Sequence, residues 1–109
     1  MIEKVFKMTI GNKKTIEKVI MDENIHYMHM ILNNGEFLPD HFTNSTVYMT
    51  VVRGILSIDL EDNGFNKYEA GTILKIPFNK KMRVHNQDEQ TLELIVVKAP
   101  APVADVKKA

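Results

Sequence analysis

The sequence predicts an all-β domain, a sandwich or barrel of short antiparallel strands. Three observations point there. Most of the chain alternates apolar and polar residues with a period of two. The alternating segments are short and rich in β-branched residues. Turn signals separate them, at Asn33-Asn34-Gly35, Asp62-Asn63-Gly64 and Asn86-Gln87-Asp88.

Taken in order, the first segment, residues 14–20, is ambiguous by itself. Ile16, Val19 and Ile20 fit a helical stripe, whereas the β-branched content fits a strand. Residues 25–32 alternate cleanly. His26, Met28, Met30 and Leu32 share one face, and Tyr27, His29 and Ile31 share the other. Residues 47–52, 55–60, 72–76 and 91–97 each read as a further strand. The acidic group Asp59, Glu61 and Asp62 reads as a solvated hairpin end. The stretch 99–109, with Pro100, Pro102 and four alanines, reads as an irregular tail and not as a second domain.

Composition narrows the function classes. A chain of 109 residues is one domain by length, able to bury roughly two-thirds of its unfolded surface. Lysine plus arginine equals aspartate plus glutamate at 14 each, giving a net charge of zero. No general attraction to nucleic acid or to an anionic membrane is expected. The chain has no cysteine, which excludes disulfides, thiolate metal sites and a cysteine nucleophile. Neither a signal-peptide core nor a run of roughly 20 apolar residues is present, so a cytoplasmic protein is expected.

The segments also carry a two-part frame. Gly35 is followed after five residues by His41, and Gly54 ends that stretch; Gly71 is followed after five residues by Pro77, with Asn86 further on. The frame resembles the two motifs of the cupin family, G-x5-H-x-H-x3-E-x6-G and G-x5-P-x-G-x2-H-x3-N. It covers about residues 25–98. The resemblance implies a single-domain antiparallel β-barrel of the jelly-roll type over residues 1–98, and it favours a strand at residues 14–20, turning near Asp22-Glu23-Asn24. Asn79 stands where the second motif has glycine, and asparagine tolerates the left-handed conformation. Pro77 fits a strand's first residue or an edge.

The resemblance also implies a metal site, and here the residues depart from it. His41 stands at the first histidine. Thr43, Val47 and Met82 stand at the second histidine, the glutamate and the third histidine. A weak hydroxyl, a hydrocarbon and a soft thioether are poor substitutes for imidazole and carboxylate. No metal or other cofactor is expected; were one present, the fallback ligands are His41 with His29 or His26. His85 lies three residues after Met82 and should face away from it.

What is expected instead is a small organic ligand in a mostly apolar barrel, held by His41, Thr43, Val47, Met49, Met82 and Asn44, with Ser45 also near the mouth. His41 itself admits two readings, an inward polar anchor or a side chain tied to a neighbouring carbonyl. The alternative function is a cupin enzyme, either a metal-independent isomerase or epimerase or a metal-dependent oxygenase with an atypical site. Arg53 and Arg83 fall at outward positions, which argues against a diphosphate-sugar substrate. Tyr27, His29 and Tyr48 read as cross-strand packing. A homodimer is expected, with Val5, Phe6, Ile16, Val19 and Ile20 as apolar contact material.

Overall fold

Nine strands build the domain in this computed structural model, whose described residues are 1–103. They are β1 (Thr15–Met21), β2 (His26–Leu32), β3 (His41–Phe42), β4 (Val47–Arg53), β5 (Ile55–Leu60), β6 (Phe65–Glu69), β7 (Ile73–Ile76), β8 (Lys81–His85) and β9 (Leu92–Lys98). One sheet has the order β1-β2-β9-β4-β7 and the other β3-β8-β5-β6, and every pairing is antiparallel. This is the jelly-roll architecture that the alternation and the glycine frame predict.

The ambiguous first segment is a strand. Its turn into β2 is held by Asp22, whose carboxylate accepts from the backbone of Asn24 and Ile25. Three strands were not marked out by alternation, namely β3, β6 and β8. The first is two residues long, and in β6 and β8 the charged residues keep to one face, Lys67 and Glu69 in the one and Lys81 and Arg83 in the other, which leaves only two residues on the opposite face of each. Residues 99–103 form no strand; the rest of the expected tail lies outside the described residues.

The core lies between the sheets. Alternate residues of β4 (Val47, Met49, Val51) and β9 (Leu92, Leu94, Val96) face Leu56, Ile58, Met82 and Val84 of the second sheet, all buried. Close packing of this apolar surface is the main force holding the sheets together.

The turns obey the backbone rules. Asn79 has φ 65°, so asparagine does take the left-handed position of the motif glycine. Gly54 has φ 81°, and a Cβ there would run into the Thr91 carbonyl oxygen. Pro77 follows the end of β7 instead of opening a strand, and its carbonyl becomes an acceptor for Thr43. Asp59 corrects the expectation of a solvated acidic turn. It is buried at 3% exposure and bonded to Arg83 Nη1 at 3.2 Å. It faces the Arg83 side of β8, and burial of a carboxylate requires such a partner.

Candidate functional site

A cavity of about 300 Å3 opens between the sheets. Its floor comes from three cross-strand neighbours of the first sheet. Met28 pairs with Val96, and Val96 with Met49. Val47 and Met82 close it from the sides, and Pro39 and His41 stand at its edge. The lining is thus apolar with few polar groups, the usual make-up of a ligand pocket. Its volume sits at the low end of the roughly 300–1,000 Å3 such pockets span.

The site residues expected from the sequence divide. His41, Val47, Met49 and Met82 line the cavity. Thr43 and Asn44 do not. Thr43 is buried, but its hydroxyl donates to the Pro77 carbonyl at 2.7 Å and accepts from the Lys80 backbone at 2.9 Å. With both capacities used, it pins the loop after β3 to the loop after β7. Ser45 is likewise engaged, donating to the Pro100 carbonyl at 2.5 Å.

His41 combines its two readings. It is exposed, and its Nδ1 meets the Pro39 carbonyl at 3.0 Å. A carbonyl can only accept, so Nδ1 carries the hydrogen, which leaves Nε2 of the neutral ring as an acceptor. His41 is therefore a tied ring on the cavity rim, and not a fully inward anchor.

The sequence reading missed Lys98. It lines the cavity, half-buried, as the next residue in the inward row Leu92, Leu94, Val96. Its Cα neighbours are His26 on β2 and Val47 on β4. Burial holds its ammonium below the usual lysine range, and Lys18 adds repulsion in the same direction. Among the described residues it has no ion-pair partner.

The donor set does not fit a divalent metal. His41 is the cavity's single imidazole, Met82 and Val47 stand at two of the motif's ligand positions, and the Thr43 hydroxyl is committed elsewhere. The fallback partner His29 is excluded by its face. It sits fully buried on the opposite side of β2, with Nδ1 2.7 Å from Glu17 and Nε2 2.5 Å from Glu93. His26 shares the Met28 face by alternation but is not part of the cavity lining.

His29 belongs to a second polar cluster, on the outer face. Glu93 also receives Arg53 Nε at 2.7 Å. Arg53 reaches Asn12 and the Gly11 carbonyl, and Glu17 takes the backbone and hydroxyl of Thr9. The cluster ties residues 9–12 across the sheet. Glu17 is held below the ordinary carboxylate range by the Thr9 backbone bond and by His29. Burial raises Glu93, but the hydrogen bonds from His29 and Arg53 outweigh it and the net shift is downward. The buried His29 ring thus has a carboxylate at each nitrogen. A wider groove of about 670 Å3 runs between this arm and Arg53. Arg53, Glu93, Asn12 and Thr9 on its walls are already engaged in the cluster, so the barrel cavity is the better site.

Among the other expectations, His85 does face away from Met82, stacking on Phe37 at 5.0 Å and packing at a tilt against Phe65 at 4.9 Å. Arg53 and Arg83 are outside the barrel lining. No helix among the described residues is long and apolar enough to cross a membrane.

Two facing antiparallel sheets around a central cavity define a cupin barrel, and comparison with known proteins gives the family. An uncharacterised protein of Methanocaldococcus jannaschii is 39% identical over 103 residues, covering 94% of this chain and 89% of that protein. A crystal structure from the same organism, described as an RmlC-like cupin family protein with a double-stranded β-helix fold, superposes with a TM-score of 0.91 at 38% identity, covering 94% of each chain. The chain belongs to this RmlC-like cupin family. A double-stranded β-helix protein from Klebsiella pneumoniae shares the fold alone, with a TM-score of 0.75 at 14% identity over 86% of this chain and 83% of that one. No protein-family model matches the chain.

Proposed function

We propose that this chain is a small-molecule-binding cupin whose barrel takes an apolar organic ligand without a tightly bound metal. The observation that carries it is the cavity itself: four methionines and two valines around a space of ligand size, with His41 at the rim. Methionine side chains adapt to irregular ligand shapes. An enzyme working by proton transfer would place a carboxylate beside His41. The adjacent Asp40 is instead directed to Arg83 Nε at 3.4 Å. The working unit in this proposal is a homodimer.

The methionines supply the test. Met28, Met30, Met49 and Met82 line the cavity, while Met1, Met8 and Met21 are exposed outside it. In protein labelled at the methionine methyls, 1-heptanol should shift the four cavity resonances and leave the three exposed ones in place. Prior treatment with a chelator should change nothing. Uniform small shifts across all the methyls would defeat the proposal. So would loss of the response with a bound metal that also depends on His41.

A further inference from the structure

The cavity's two polar lining residues are both basic, Lys98 and His41. No aspartate or glutamate is among the described residues that line it. Lys98 is half-buried on a wall built mostly of methionines and valines, and it has no anionic partner among the described residues, a costly setting for an ammonium. We infer that Lys98 reads an anionic head group, and that the barrel's ligand is a small apolar monocarboxylate. This builds on the barrel being a binding pocket and adds the ligand's charge and chemical class.

Topology and charge support it independently. Register places Lys98 in one cross-strand row with His26 and Val47, at the end of an otherwise apolar inward face on β9. Lys18 and Ile16 lie two apart on β1, opposite Met28 and Met30, so Lys18 approaches the cavity from the exposed edge. Lys18 and Lys98 repel each other and depress the Lys98 ammonium further than burial alone. A carboxylate at Lys98 relieves both penalties at once and forms a charge-assisted hydrogen bond. Inorganic phosphate fits less well. It would need several donors to replace its water, and one amine among methionines and valines does not supply them. A hydrocarbon tail, in contrast, matches the remaining lining.

Paired probes of equal length separate the two levels of the proposal. Heptanoate and 1-heptanol would be titrated into methionine-methyl-labelled protein. Heptanoate should bind about tenfold more tightly than 1-heptanol. Lys98→Met should abolish that preference, while Lys98→Arg should retain most of it. In the unsubstituted protein the Lys98 Cε resonance should move with heptanoate and stay with 1-heptanol, a readout that does not depend on a variant folding. If 1-heptanol binds in the cavity but heptanoate shows no preference, or keeps it in Lys98→Met, the carboxylate inference is overturned and the binding pocket stands. If neither compound shifts the cavity methyls, both are overturned.

Discussion

Lys98 and Thr43 show how single residues gain or lose a role through their surroundings. Lys98 continues the row Leu92, Leu94, Val96, so period-two alternation already points it inward. Ending the strand at residue 97 hid this. Thr43 has the opposite history. Two residues after His41, it should share the cavity face, yet the Pro77 carbonyl and the Lys80 amide capture its hydroxyl. That loop–loop bond is long-range and has no local signature. Asn79 was legible, since its left-handed backbone follows from the motif glycine it replaces. It offers a clean stability test. Asn79→Gly should be near neutral. Asn79→Val should cost about 1–2 kcal/mol, the usual penalty for a side chain forced into that region, seen as a lower midpoint in urea unfolding with an unchanged slope.

At the scale of elements, the long alternating strands β2, β4, β5 and β9 were readable because one face of each meets the core. The short β3 was not, and β6 and β8, at five residues each, offer only two residues on the face opposite their charges, too few for alternation to stand out. The outer-face cluster on β1, β2 and β9 was hidden for a related reason. Glu17 and His29 are direct cross-strand partners, but Arg53 and Glu93 come from distant parts of the chain. Its pH behaviour follows from the shifts of its acids. Glu17 and Glu93 both titrate below their ordinary value of 4.5. Groups depressed on folding contribute stability above the unfolded pKa and lose it as pH falls through the folded one. The arm at residues 9–12 should therefore stay docked at neutral pH and release in acid below about pH 4.5. Amide exchange at Thr9, whose backbone N–H bonds Glu17, should accelerate over that window. Glu17→Gln should remove most of the pH dependence at Thr9. Glu93→Ala, which strips a partner from buried His29 and from Arg53, should cost about 3 kcal/mol. Exchange at Thr9 that ignores pH between 7 and 3 would show that the arm is held by something other than these carboxylates.

For the whole molecule, the arm poses a different question from the barrel. The barrel buries its apolar residues well, yet within the first ten residues Ile2, Val5, Phe6 and Ile10 are exposed, Val5 at 65% and Phe6 at 49%. Ile16 is half exposed as well, but on the face of β1 opposite Glu17, where it lines the cavity. Exposed apolar residues grouped on one short segment are contact material for a partner. The arm is not loose, because Glu17 and Arg53 hold residues 9–12 at specific points on the sheet. A standard interface takes about 800 Å2 from each partner, a modest share of the 6939 Å2 this chain exposes. Light scattering at micromolar concentration should accordingly give twice the 12.5 kDa chain mass. Val5→Glu with Phe6→Glu should bring the mass down to one chain while leaving the circular dichroism of the barrel unchanged, because both side chains lie outside the core. A single-chain mass for the unsubstituted protein under the same conditions would reject the dimer. It would leave the arm as an apolar surface on a monomer, with the barrel cavity unaffected, since none of the cavity-lining residues belongs to the first ten.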